Sequence, residues 1–251
     1  MTSNLEKLQS NNPNDKEMTL LEHFKELRGR ITWMAGAIVI GMGICFTAFG
    51  FTLMEFLEEP ARKSIPDFTP QATEPLETIV TFFQVGLLGG IAFAMPVIVY
   101  HIMRFVSPAL SKQERRWAIP IALGASLSFV GGMAFAYYVV LPLALNFLLT
   151  FGEDVARADW RISNYINFVT RILLILGLVF ETPLFVMGLA KMKVVTAKVL
   201  LQKWRAMIVL SFLFSAILTP TIDPVTQSLV AGPMIVLYFV GIGLAWLVRR
   251  E

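Results

Sequence analysis

A single cysteine, two histidines and a charged fraction of only 16% are what this 251-residue sequence has least of. Cys45 lies inside the first apolar stretch, so no intramolecular disulfide is possible, and a small core residue is the simpler reading than a reactive thiol. The chain has no HExxH zinc helix, no phosphate-cradling glycine loop and no GxSxG nucleophile turn, so no enzymatic chemistry and no cofactor or metal is expected. The first 30 residues lack a short apolar core followed by a small-residue cleavage site, which predicts that no signal peptide is removed. Basic residues flank apolar runs without interleaved stacking aromatics, and nucleic acid is therefore not an expected partner.

What is there in quantity is apolar surface. Hydrophobic residues make up 56% of the chain, and the mean hydropathy is +0.66. A chain of this composition needs an apolar solvent, and its charges are clumped so that the runs between them can fill a hydrocarbon core about 30 Å thick with roughly 20 helical residues each. No alternating ten-residue strand pattern occurs, so helices are the expected spans. The runs predict an all-α membrane protein with six spans near 31–54, 77–103, 117–140, 163–190, 206–219 and 225–248, forming one domain over 18–250 behind a flexible segment 1–17. The fifth run is short, only 13 uncharged residues from Ala206 to Leu218, and alone it would suit a re-entrant segment equally well.

Charge arithmetic decides for a sixth crossing. Alternating the loops places 16 basic residues on one side (from Lys7 through Arg28, Arg104, Lys112, Arg116 and Lys191 to Arg250) and four on the other: Arg62, Lys63, Arg157 and Arg161. The positive-inside rule then puts both termini in the cytoplasm. Pro96, Pro120, Pro142, Pro183 and Pro233 recur within or at the ends of the spans and predict bent helices. The short fifth span adds hydrophobic mismatch, which predicts bilayer thinning near spans five and six.

A few polar residues are too costly in such a chain to be filler. Glu181 stands deep in the fourth span, and Pro183 just after it frees a backbone carbonyl; the carboxyl is either a functional group facing a cavity or a protonated packing residue. Arg171, ten residues earlier and roughly 15 Å away along the helix, is too far to pair with it and is expected to snorkel outward. His101 is alone near the inner end of span two and reads as a capping or interface histidine. Leu20, Phe24, Leu27 and Ile31 recur at helical spacing, an interfacial amphipathic helix that sets Glu22 and Glu26 on one face and Glu26 at the membrane surface among cations. In the loop Phe105 to Trp117 the only acid is Glu114. Two isolated carboxylates on a basic face suit a cationic guest, above all a guanidinium, whose planar fork a carboxylate grips bidentately; the plainer alternative is a solvated charged surface.

Five segments in order resemble the TatC family, the multispanning receptor subunit of the twin-arginine protein translocase. They are His23 to Arg28, Phe105 to Arg116, Phe135-Ala136-Tyr137-Tyr138-Val139-Val140-Leu141-Pro142, Phe180-Glu181-Thr182-Pro183, and Thr219-Pro220 followed by Asp223-Pro224 and Gln227. The resemblance implies a concave, glove-like bundle with short helices 5 and 6 in the inner membrane of a prokaryote. It implies that Glu26 and Glu114 accept the paired arginines of a signal peptide on folded cargo, with Arg28, Phe105 and Lys112 lining or supporting that site. Glu181 corresponds to the family's intramembrane acid.

Single-span TatA and TatB subunits, self-association in a multimeric receptor complex, membrane lipid and the proton motive force are implied in the same way, with Pro220, Asp223 and Gln227 supporting or contacting partners. Two departures stand out: the last span reads Leu237-Tyr238-Phe239 where an acid often follows the aromatic, and Thr226 replaces a common serine. Outside the family, a small-molecule secondary transporter built around Glu181 is the alternative, although no repeat relates spans one to three to spans four to six. An intramembrane enzyme lacks any His, Ser, Cys or paired-acid constellation within the spans.

Overall fold

The computed structural model describes residues 20–64, 70–106, 118–151, 161–219 and 223–248, and its regular elements there are all helical, with one isolated bridge between Gln71 and Arg161. In chain order they are α1 (Leu20–Ala48), α2 (Gly50–Ser64), α3 (Glu77–Val106), α4 (Ala118–Phe135), a π turn (Ala136–Val140), α5 (Leu141–Thr150), α6 (Ile162–Phe180), α7 (Thr182–Lys191), α8 (Ala197–Gln202), α9 (Trp204–Leu218) and α10 (Pro224–Val248). Five stretches are long and apolar enough to cross a membrane: Phe24–Ala48, Glu77–Phe105, Ile119–Leu148, Ile162–Lys191 and Pro224–Val248; Trp204–Leu218 is a shorter apolar helix. The proposed flexible segment 1–17 lies outside the described residues.

Two boundaries differ from the expectation. The first span, read as 31–54, ends at Ala48, because Gly50 takes a positive φ of 41° that side chains rarely adopt and α2 starts there in a new direction. The third, read as 117–140, runs on to Thr150. Pro142 has no N–H to give, and the chain absorbs it by widening: the Leu141 N–H reaches the Ala136 carbonyl five residues back, and α5 restarts with the proline in its first turn. The sixth run, read as 225–248, is the 25-residue α10, so the short sixth helix that the resemblance implied is absent and of this pair only α9 is short. The amphipathic segment from Leu20 is continuous with the first span rather than a separate helix.

Helix α6 is the hub. Tyr165, Ile166, Phe168, Val169, Ile172 and Leu176 are buried and gather side chains from α2, α3, the π turn and α5 into one core. It also packs on α4, where Gly132 and Gly177 let the helices close up: a Cβ on Gly132 would stand 2.6 Å from the Leu176 carbonyl. Helices α1 and α3 cross in the same way at Gly41 and Gly90, where a Cβ on Gly90 would lie 2.8 Å from the Ile38 carbonyl. Small residues are what allow backbones in an apolar solvent to meet so closely. Further along that crossing Phe46 stacks on Phe82 with ring centroids 4.9 Å apart, so the two helices run antiparallel.

Candidate functional site

The antiparallel crossing fixes where the end residues of α1 and α3 sit. Glu26 lies fifteen residues before Gly41 and Phe105 fifteen after Gly90, so both stand about 22 Å from the crossing, at the same end of the bundle. At that end Arg30 Nε donates to Glu26 Oε1 at 3.1 Å, and Arg30 Nη2 closes on the same oxygen. The pair is largely withdrawn from solvent, with side chains 24% (Glu26) and 16% (Arg30) exposed. The other oxygen, Glu26 Oε2, is buried and has no hydrogen-bond partner among the described residues. This carboxylate therefore holds one guanidinium and keeps acceptor capacity for another.

Around it, α3 supplies the opposing wall. The Arg104 guanidinium lies 5.8 Å from the centre of the Tyr100 ring and donates to the Tyr100 hydroxyl at 3.0 Å. His101, edge-on to Tyr100, feels the charges of both Arg30 and Arg104. Phe105 is half-buried beside them near the end of α3, and Arg28 is exposed, with its backbone carbonyl accepting from the Thr32 hydroxyl at 2.9 Å. Lys112 and Glu114 lie outside the described residues, so of the five binding residues read from the sequence, Glu26, Arg28 and Phe105 are placed at one end of the α1–α3 pair.

Glu181 stands at a break between two helices. It caps the end of α6, its N–H reaching the Leu178 carbonyl at 3.1 Å, and α7 begins at Thr182 with Pro183 in its first turn. Proline supplies no N–H to the turn before it, which is why the rod is interrupted here. The carbonyl that Pro183 leaves without its helical donor, that of Val179, takes the Glu181 N–H instead, and the Ser128 hydroxyl of α4 donates to the neighbouring Phe180 carbonyl at 2.8 Å. Glu181 Oε1 is buried and unpartnered among the described residues. Arg171 is exposed, as a snorkelling residue must be.

The α9–α10 junction places two of the remaining candidates. Asp223 caps α10: its Oδ1 accepts the Thr226 N–H at 2.6 Å, and Pro224 follows at the first helical position. The Gln227 carbonyl accepts from the Ser215 hydroxyl at 2.8 Å, tying the short α9 to α10. Pro220 lies outside the described residues.

Several polar residues were not singled out by composition or spacing. Glu77, at the opposite end of the bundle from Glu26, is a buried hub: its Oε2 accepts the Thr73 N–H at 2.8 Å and the Glu74 N–H at 3.3 Å, while Oε1 accepts the Ser163 N–H at 3.1 Å and its hydroxyl. Arg161 stands 3.6 Å from the same carboxylate. Between the spans, Gln84 Nε2 donates to Asn167 Oδ1 at 3.1 Å and to the Thr170 hydroxyl at 3.0 Å. An amide inside an apolar run was the available signal for Gln84. On α2, outside the spans, the Lys63 ammonium 2.7 Å from Glu59 holds that carboxyl below its ordinary range.

Residues 22–233 match the family TatC, described as Sec-independent protein translocase protein (TatC). The chain is 38% identical over 231 residues to the Sec-independent protein translocase protein TatC of Synechocystis sp., covering 92% of this chain and 89% of that one. It is 38% identical over 236 residues to its counterpart in Aquifex aeolicus, covering 93% and 97%. Among solved structures, the twin arginine translocase receptor TatC superposes with a TM-score of 0.80 at 37% identity, covering 91% of this chain and all of that one.

Proposed function

The chain belongs to the TatC family, the multi-pass, non-enzymatic membrane subunit of the Sec-independent twin-arginine translocase, and from that premise we propose that it receives twin-arginine signal peptides at the α1–α3 end and starts the export of folded cargo. Glu26 takes one arginine of the pair and Glu114 the other, with Arg28, Phe105 and Lys112 lining or supporting the site. The observation that carries this reading is the Glu26 carboxylate itself, which grips the guanidinium of Arg30 through one oxygen while its second, buried oxygen has no hydrogen-bond partner among the described residues. A guanidinium supplies the planar pair of donors that such an oxygen lacks, and an ammonium supplies only a point charge.

In this reading the six apolar helices are six kinked spans of one glove-like domain with both termini in the cytoplasm, in the inner membrane of a prokaryote. The 16-to-4 division of basic residues supports that orientation. The Ser215–Gln227 contact ties α9 to α10, and Asp223 caps the start of α10, which suits a docking surface for single-span TatA- and TatB-type subunits with Pro220, Asp223 and Gln227 near its edge. Copies of the chain self-associate in a multimeric receptor complex, and transport draws on the proton motive force, with Glu181 as the intramembrane acid. Family membership supports this reading and gives no support to a small-molecule transporter.

Photoreactive residues placed beside Glu26 and Glu114 in membranes test it against an Arg-Arg signal peptide and a Lys-Lys control. The expected result is Arg-Arg-dependent adducts that vanish in Glu26→Arg and Glu114→Arg. Equal adducts with both peptides in well-folded protein would remove the receptor assignment from these carboxylates.

A further inference from the structure

Along the central helix α6 (Ile162–Phe180) only Asn164, Arg171 and Leu178 are exposed. They are seven residues apart and therefore form one line down the helix, two turns between members. On one flank of that line Asn167 is tied to Gln84 of α3, and on the other Ile175 and Val179 pack on Val230 and Met234 of α10. The line is thus the floor of a groove between α3 and α10. Among the described residues Arg171 makes no hydrogen bond and no ion pair.

A cation in an apolar span that has no protein counter-charge needs one from its surroundings, since hydrocarbon offers a bare charge no solvation. Depth says which anion is in reach. The rod Ile162–Lys191 has 30 residues, about 45 Å long against a hydrocarbon core of about 30 Å, so each end overhangs by roughly 7 Å. Arg171 is nine residues in, about 14 Å, which sets its Cα roughly 7 Å inside the core boundary, so that its extended side chain brings the guanidinium to that boundary, directly beneath the phosphate layer. Asn164 stands about 10 Å nearer the headgroups and offers an amide, and Leu178 continues the groove inward as apolar floor.

We propose that this groove is a phospholipid site: the Arg171 guanidinium pairs bidentately with the phosphodiester of one glycerophospholipid, Asn164 hydrogen-bonds its glycerol or headgroup oxygens, and an acyl chain runs inward over Leu178. The phosphodiester matches the fork of the guanidinium, and it is the anion the bilayer itself holds at that depth. The inference rests on the multi-pass placement of α6 and is independent of the signal-peptide reading.

The test is native mass spectrometry of the detergent-purified full chain, titrated separately with phosphatidylglycerol, phosphatidylcholine and diacylglycerol. The expected result is one retained molecule of either phospholipid and none of diacylglycerol, with retention reduced at least tenfold in Arg171→Gln, severalfold in Asn164→Leu and only partly in Arg171→Lys. Thermal unfolding of each variant shows whether it is folded, and Arg171→Lys keeps the charge if Arg171→Gln is unstable. Undiminished phospholipid retention in folded Arg171→Gln would overturn the site, as would displacement of the lipid by inorganic phosphate, which would make it an anion site without lipid specificity. Unchanged retention together with loss of a co-purifying single-span subunit would also overturn it, assigning Arg171 to a protein carboxylate instead.

Discussion

The Tyr137 hydroxyl donates to the Phe56 carbonyl at 2.7 Å, and that carbonyl is the one Pro60 leaves without a helical partner four residues on. Next to it, the Tyr165 hydroxyl donates to the Leu57 carbonyl, also at 2.7 Å. Two tyrosines from the π turn and α6 thus hold α2 over the end of the bundle opposite Glu26, and the Phe56 ring stacks on Tyr137 with centroids 4.3 Å apart.

Tyr137→Phe removes the donor and leaves a carbonyl without its partner, a change worth about 1–3 kcal/mol when the group is buried. Its unfolding midpoint in detergent should fall, whereas Tyr138→Phe, at an exposed neighbour, should leave it unchanged. Pro60→Ala restores an N–H for Phe56, so the cost of Tyr137→Phe should shrink in the Pro60→Ala background. Equal costs in both backgrounds would disconnect the tyrosine from the proline.

Glu77 joins the start of α3 to the turn before it and to the start of α6. Glu77→Gln keeps the volume but presents an amide NH2 to backbone donors that need an acceptor, so the Thr73, Glu74 and Ser163 contacts cannot all survive. The expected loss is about 3–6 kcal/mol, roughly that of two hydrogen bonds to a charged group. It should appear as a lower unfolding midpoint and as faster protease cleavage between residues 70 and 76. Ser163→Ala should cost less than half as much, because the Ser163 N–H still donates.

At the α1–α3 crossing, Gly90→Ala would press a Cβ to 2.8 Å from the Ile38 carbonyl and 2.9 Å from the Met42 nitrogen. Backbone cannot swing aside as a side chain does, so the helices must separate, at a cost of about 1–3 kcal/mol. Because the crossing sets Glu26 opposite the end of α3, Gly90→Ala should also weaken Arg-Arg peptide binding. Gly36→Ala, with nothing within 4 Å of its Cβ, should change neither property.

What the sequence made legible is what bilayer physics writes in composition. Uncharged runs of the right length located the five long apolar helices, and the expense of a carboxyl in hydrocarbon singled out Glu181 from its depth in the fourth run alone. The end of α1 was hidden because Phe49 to Met54 is apolar on both sides of Gly50, and only a backbone angle marks the turn. Glu77 was hidden because an acid at the edge of a run looks like an ordinary flanking charge. Tyr137 and Tyr138 are adjacent and chemically alike, yet one is buried against α2 and the other faces outward, a distinction set by the π turn that composition does not carry. Glu26 was legible as a candidate through its place among cations. Its pairing with Arg30 was also open to a four-residue count on a helix.

Glu181→Gln separates a working acid from a packing residue at the α6–α7 break. The side chain sits where the α6–α7 rod breaks, and the carbonyls of the broken turn are met by the Glu181 N–H and the Ser128 hydroxyl rather than by the carboxyl. Replacing Glu181 by the amide should therefore leave the fold intact, with an unfolding midpoint close to wild type and unchanged Arg-Arg-dependent crosslinking. Export of a folded reporter should fall by about tenfold if transport needs a group that exchanges protons within the membrane. Ser128→Ala should behave inversely, lowering stability by about 1 kcal/mol through the lost hydrogen bond while sparing export per folded molecule. Wild-type export by Glu181→Gln would show that the carboxyl is protonated filler, and the intramembrane role would then have to be sought elsewhere on the α6 face.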